Sequence, residues 1–274
     1  MKKFSVIVLL IIALINTGCF SSRKSGWETL FNGRDLEGWT PKIRGYKLDN
    51  NFANTFSVKN GAIHVDYSGY DTFNARYGHI FYKQKYSAYL LNLEYRFIGE
   101  QARHGEGWAF RNSGIMLHCQ APETMAIDQD FPISLEAQFL GGNGKEERST
   151  GNLCTPGTNV VREGKLFTPH CVNSSSKTYH GDQWVKASLL VLGDSVIKHI
   201  INGDTVMVYE KPQYDGTDKW VQHANLKGGE LIREGYISLQ SESHPVEFRN
   251  IKLFDLSGYL NDRERLIRKL KELK

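Results

Sequence analysis

Tyr89-Leu90-Leu91-Asn92-Leu93-Glu94-Tyr95-Arg96-Phe97 puts Leu91, Leu93, Tyr95 and Phe97 on one face of an extended chain and Asn92, Glu94 and Arg96 on the other, because successive strand side chains point to opposite sides. A strand with one apolar face needs a partner layer to cover it. Runs rich in β-branched and aromatic residues recur at Phe56 to Val65, Trp184 to Leu192, Val196 to Ile201, Thr205 to Tyr209, Tyr236 to Gln240 and Val246 to Phe254, bounded by turn formers. Between two of them, Ile201-Asn202-Gly203-Asp204 holds the Asn-Gly pair of a tight hairpin. Helical periodicity is scarce before residue 259. The expected fold is all-β: a jelly-roll β-sandwich of two antiparallel sheets, forming one main domain over residues 27–257.

The chain ends carry different signals. Lys2 and Lys3 precede an apolar run from Phe4 to Ile15 that stops at Asn16-Thr17-Gly18-Cys19, too short for the roughly 20 residues of a membrane span and suited to an export signal. A cysteine placed so resembles the bacterial lipobox. That resemblance implies a signal peptide over residues 1–18, lipidation at Cys19 and a polar tether over 19–26, and so a lipid-anchored protein of the bacterial cell envelope on its periplasmic or outer-membrane face. The alternative is ordinary cleavage and a secreted protein. Over residues 258–274, Leu266, Ile267, Leu270 and Leu273 fall at helical spacing among basic residues, predicting a short C-terminal amphipathic helix.

The formal charge of +4 is small and dispersed, which gives no footprint for nucleic acid. With Cys19 set aside for lipid, Cys119, Cys154 and Cys171 remain in a compartment that permits disulfides. Cys154 and Cys171 both lie in loop-like sequence, so they are the favoured pair. Cys119 follows Ile115 and Leu117 on one strand face and suits a buried free thiol, although sequence alone leaves an exchange of partners open.

Two strands carry polar groups opposite their apolar faces: Arg111-Asn112-Ser113-Gly114-Ile115-Met116-Leu117-His118 and Leu135-Glu136-Ala137-Gln138-Phe139. Parity places Asn112 with His118, and Glu136 with Gln138. If both strands share a sheet, amides, an imidazole and a carboxylate meet on one surface, a pattern suited to handling a saccharide. Gln240 and Arg249 have polar-face parity on their own strands. Gly99 to Ala109 and Gly141 to Gly181 resist strand assignment, and the second segment supplies His170 as a further candidate contact.

Phe31-Asn32-Gly33-Arg34-Asp35-Leu36-Glu37-Gly38-Trp39, Asn112-Ser113-Gly114-Ile115, Glu136-Ala137-Gln138, Asn202-Gly203, Gly235 through Gln240 and Phe248-Arg249-Asn250-Ile251 occur in an order that resembles the bacterial 3-keto-disaccharide hydrolase domain, also described as a 3-keto-glucoside 1,2-lyase and 3-keto-2-hydroxyglucal hydratase domain. The resemblance runs from about Trp27 to Leu256. It implies a concanavalin A-like or laminin G-like sandwich acting on oxidised di- or oligosaccharides or glycosides.

A ketone at C3 of a sugar acidifies the C2 proton, so a base can form an enolate and the C1 oxygen can leave; water then completes a net hydrolysis. Such a site needs a base, an enolate stabiliser and a proton source. Glu136 and His118 are the expected catalytic pair, with Asn112, Gln138, Gln240, Arg249 and His170 as substrate contacts. Bland readings stand beside these: Glu136 as a surface carboxylate paired with an arginine such as Arg249, His118 as a hydrogen-bonded sheet histidine, and Arg249 as the clamp of a structural carboxylate. No cofactor is required by the sequence. A hard divalent cation is compatible with Asp, Glu, His and amide oxygens, but no compact ligand motif appears, and the metal is left unassigned. No dinucleotide fingerprint occurs either, so a separate sugar 3-oxidoreductase is expected to make the ketone. The competing readings are a non-catalytic, lectin-like carbohydrate-binding lipoprotein, for which five Trp and thirteen Tyr supply stacking surfaces, and a structural envelope protein whose C-terminal helix contacts a partner.

Overall fold

The computed structural model describes residues 26–273. The expected signal peptide, Cys19 and most of the expected tether lie outside the described residues. The strands in chain order are β1 (Trp27–Thr29), β2 (Trp39–Ile43), β3 (Phe56–Lys59), β4 (Ala62–Val65), β5 (Gly78–Tyr82) and β6 (Ala88–Phe97). They continue with β7 (Asn112–Cys119), β8 (Leu135–Leu140), β9 (Asn152–Cys154), β10 (Thr158–Arg162), β11 (Lys165–Phe167) and β12 (Cys171–Val172). The last are β13 (Val185–Leu192), β14 (Val196–Ile201), β15 (Asp204–Tyr214), β16 (Tyr236–Ser241) and β17 (Val246–Asp255).

These strands form two antiparallel sheets. The larger runs β11-β10-β15-β14-β13-β6-β17-β4-β3, with β1 added on β17, and the smaller runs β12-β9-β8-β7-β16-β5-β2. Leu91, Leu93, Tyr95 and Phe97 of β6 face inward and are buried. Opposite them, β8 contributes Leu135, Ala137 and Phe139, and β7 contributes Ile115 and Leu117. Tyr95 and Phe139 stack across the gap with centroids 4.0 Å apart, and the Tyr95 hydroxyl lies 2.6 Å from Thr150 Oγ1. Full burial of each large apolar side chain contributes about 2 kcal/mol, so the inward faces hold the sheets together. The fold is a concanavalin A-like jelly-roll sandwich.

Asn202 and Gly203 take positive φ angles of 49° and 97° at the β14–β15 turn, as the Asn-Gly pair requires. Phe56 to Val65 is two strands rather than one, turned at Asn60-Gly61. The segment from Gly141 to Gly181 is not the long loop expected, since it contains β9 to β12. Those strands are short and sit toward the sheet ends, and pairing rather than local pattern defines them. Cys154 and Cys171 are directly opposite in the β9–β12 pair and form a disulfide, while Cys119 is free and buried.

A short helix, α1 (Lys219–His223), is capped by Asp218, and α2 (Arg263–Glu272) begins at Asp262, whose side chain accepts from Arg265 N. Leu266 and Leu270 of α2, with Leu273 at its C-terminal cap, pack on Ala88, Leu190, Phe254 and Leu256, on the outer face of the larger sheet.

Candidate functional site

The outer face of the smaller sheet is built in rows. Cys154, Glu136, Met116, Ser238, Phe81 and Thr40 are register partners in sequence across six strands. The next row joins Asn152, Gln138 and Gly114 to Gln240, His79 and Lys42. Met125 closes over Phe81, Met116 and Cys119, so the first row is covered by the segment that follows β7. The second row keeps its polar groups together.

Gly114 has no side chain, and Glu136 uses the space. A Cβ at position 114 would lie 2.7 Å from Glu136 Oε1 and 2.9 Å from its Cγ. The carboxylate therefore lies over the second row, toward Gln138 and Gln240. Asn152 Nδ2 donates to Gln138 Oε1 at 3.0 Å, fixing that amide. The Gln240 amide faces the Glu136 carboxyl closely enough to stabilise its charge, and beyond that contact neither the Gln240 amide nor Glu136 Oε1 has a well-formed hydrogen-bond partner among the described residues.

Glu242 follows the end of β16 with the same parity as Gln240. It is buried, and its Oε2 is unpartnered among the described residues. Burial drives the Glu136 carboxyl well above the ordinary carboxylate range, with the nearby Gln240 side chain opposing the shift. Glu242 is also held well above that range, by burial and then by the negative charge of Glu136. Two carboxyls that repel each other in a dry setting ionise one at a time, which separates an acid from a base.

His79 is fully buried with both ring nitrogens unpartnered among the described residues. Burial, assisted by the positive charge of Lys42, holds it down at about 3, so the ring is neutral. It meets Phe131 edge-on at 5.9 Å. Tyr77 packs against Phe131 at 5.2 Å and stacks with Trp108 at 5.9 Å. Burial and the nearby carboxylates Glu242, Glu106 and Asp130 push the Tyr77 phenol up to about 12. Trp108 is 52% exposed, an indole face open to solvent at the rim of a polar floor.

Among the expected site residues, Glu136, Gln138, Gln240 and Asn112 share this sheet face. Asn112, at the start of β7, has a buried Oδ1 without a partner among the described residues. His118 does not join them. Its φ is +50°, and the β7–β16 register shifts between Tyr236 and Ser238, a bulge that breaks strict alternation. The bulge is tight: a Cβ on Gly235 would fall 2.3 Å from the His118 carbonyl carbon. His118 turns away to share a 3.1 Å hydrogen bond, Nε2 to the Gly193 carbonyl.

Arg249 is also elsewhere, on the outer face of the larger sheet. It pairs with Glu94 at 2.7 Å and covers the Trp184 ring at 3.8 Å. His170 lies beside the disulfide, in a cleft of about 250 Å³ lined also by Trp220, Asp218, Asp130 and Phe131, the ring that also contacts His79 and Tyr77. Sequence reasoning missed Glu242, His79, Tyr77 and Trp108. Following the Ser238-Gln240 alternation two residues further reaches Glu242, and the alternation of His79 and Phe81 against Ile80 and Tyr82 marks β5 in the same way. Among the described residues, no group of three or more His, Cys, Asp or Glu side chains converges as metal ligands do.

Solved structures of low sequence identity share the fold. A protein from Parabacteroides distasonis ATCC 8503 with a provisional assignment as a glycosyl hydrolase is 21% identical, with a TM-score of 0.50 over 84% of this chain and 100% of the other. A Bacillus subtilis protein described as having a galectin-like fold is 10% identical, with a TM-score of 0.50 over 80% of this chain and 90% of the other. A comparison with curated proteins finds no match. The model of one family matches residues 26–253, nearly the whole sandwich, and the chain therefore belongs to the 3-keto-alpha-glucoside-1,2-lyase-like domain family.

Proposed function

We propose that this protein cleaves the glycosidic bond of 3-keto glycosides, with Glu136 and Glu242 as its acid and base. The observation that carries this reading is the pair of buried carboxyls, both raised and mutually repelling, beside Gln240 on the sheet floor. The family description names the same chemistry, and the Parabacteroides relative's assignment agrees with glycosidic cleavage.

The ionised carboxylate takes the C2 proton, and the electrons of the C2–H bond move toward the C3 oxygen. Gln240 and the neutral His79 each offer an N–H to that developing oxyanion. The electrons return to form the C1=C2 double bond as the C1–O bond breaks, and the protonated carboxyl gives its proton to the leaving oxygen. Water then adds hydroxyl at C1 and hydrogen at C2. Trp108 presents its exposed face to a sugar ring. The chemistry so written needs no cofactor, and chelator treatment during the assay checks that.

A separate oxidoreductase is proposed to supply the ketone, and Cys19 to anchor the protein in the cell envelope by lipid. The test sets 3-keto and unoxidised disaccharides side by side with wild type, Glu136→Gln and Glu242→Gln. Turnover confined to the keto sugar, reduced by roughly 10²- to 10⁴-fold in each variant, supports the reading. Sugar binding without turnover returns the protein to the lectin class.

A further inference from the structure

A second cluster lies at the Asn112 end of the same sheet, and the acid/base pair makes no use of it. His244, two residues beyond Glu242, is fully buried with neither ring nitrogen bonded among the described residues. Its ring meets Phe110 edge-on at 4.9 Å and Phe97 at 5.8 Å. Burial, followed by the positive charges of Arg111 and Arg148, holds this imidazole down at about 4. It is therefore a neutral ring beside two guanidiniums.

Backbone contacts fix both arginines. Arg148 Nη1 donates to the Gly141 carbonyl at 2.6 Å, and Arg111 Nη1 donates to the Gly181 carbonyl at 2.7 Å. Arg111 also pairs at 3.2 Å with Asp182, a carboxylate that is 55% exposed. For Arg148, no carboxylate stands within ion-pair distance among the described residues, and desolvation together with the charge of Arg111 lowers its affinity for a proton, against the pull of Glu146. Gly141 makes the approach possible, since a Cβ there would lie 2.9 Å from Phe97 and 3.0 Å from Arg111.

The outer face of the larger sheet shows what a self-contained pair of arginines looks like. Arg96 and Arg249 flank Trp184, but each has its own glutamate at 2.7 Å, Glu247 and Glu94. At the Asn112 corner Arg148 has no such glutamate, and a buried imidazole and the Asn112 Oδ1 acceptor stand unbonded, among the described residues. Half-buried guanidiniums with fixed planes suit an oxyanion, which accepts from both.

We propose that this corner binds an anionic substituent of the sugar, a carboxylate or a sulfate ester, at Arg111 and Arg148, with His244 and Asn112 receiving adjoining hydroxyls. The inference rests on the reading of this sheet face as the sugar site. It narrows the substrate class to acidic sugars.

Calorimetry on the full chain decides it with methyl glucoside, methyl glucuronide and methyl glucoside 6-sulfate as probes. At least one acidic probe is expected to bind about ten-fold or more tightly than the neutral one, with a margin that shrinks as salt rises. Whichever acidic probe gains identifies the anion. In Arg148→Met the ratio of acidic to neutral affinity falls toward one, while Arg148→Lys, which keeps the charge, retains part of it. Equal binding of all three probes, binding of none, or a margin that survives Arg148→Met overturns the proposal. Because no turnover is required, this outcome is independent of the catalytic reading: anion preference without cleavage of any keto sugar sinks only the latter, and cleavage without preference sinks only the former.

Discussion

Glu136 occupies the space that a side chain on Gly114 would take, its Oε1 lying 2.7 Å from where that Cβ would stand. The two residues are diagonal neighbours on adjacent strands, two register steps apart on one face, since Gly114 is opposite Gln138 and Met116 is opposite Glu136. One absent methyl group thus lets a carboxylate lie flat along the sheet and approach Gln240.

Gly114→Ala should therefore cost activity out of proportion to stability. The new methyl forces Glu136 off its position, and a displacement on the order of 1 Å at a reacting group lowers the rate by about 10²-fold. Overpacking costs about 1 to 3 kcal/mol. Steady-state kinetics and thermal melts on the same preparation check the split; a loss of activity that merely follows unfolding contradicts it.

The raised carboxyls also predict a pH dependence of stability. Between the ordinary carboxylate range and their folded values, Glu136 and Glu242 hold more protons in the native state than in the unfolded chain. Their contribution is therefore fully present below the unfolded values and is lost as pH rises through the folded ones. The Glu136→Gln and Glu242→Gln double variant removes both ionisations. Its melting temperature should fall less than that of wild type as pH is raised above the carboxylate range, and parallel curves would contradict this.

Much of this architecture was legible in the chain, and the errors have local causes. Alternation in β6, β7 and β8 correctly assigns Leu91, Ile115 and Phe139 to the core and Glu136 with Gln138 to the other face, because period-two patterning is itself the burial constraint. It fails at His118, where a bulge resets the parity and the residue turns to Gly193. It also fails for Arg249, whose outward face is real but belongs to the opposite sheet. Parity says which side of a strand a residue occupies, not which sheet the strand joins. Glu242 is reached only by carrying the β16 alternation past the end of the strand, and Trp108 lies outside the strands, where only the tertiary fold brings it to the rim.

His118→Gln tests the reassignment of that residue. The side chain joins the β7 bulge to the β13–β14 turn through one buried hydrogen bond, so its disruption should cost about 1 to 3 kcal/mol. Turnover per folded molecule should stay near wild type. A catalytic loss of 10²-fold with an unchanged melt would restore His118 to the chemistry.

The disulfide ties the two-residue strand β12 to β9, closing a separation of 17 residues. By loop-closure entropy, a cross-link of that span contributes about 3 kcal/mol. The Cys154→Ser and Cys171→Ser double variant should melt lower by a corresponding margin, and the His170 segment should gain proteolytic sensitivity before the rest of the sandwich. Uniform digestion across the chain would mean that pairing alone secures this edge.

Trp108 provides the last separation, between binding and chemistry. Its indole is 52% exposed and rests on Tyr77, so truncation removes little buried area and should shift the melting temperature only slightly. Loss of one aromatic face against a sugar weakens binding by about 1 kcal/mol, roughly five-fold in KM. Because the role proposed for the residue is to hold the sugar and not to move a proton, kcat in Trp108→Ala should change far less than KM. A fall confined to kcat would place the indole in the reacting geometry instead, and unchanged kinetics would move the sugar off this rim altogether.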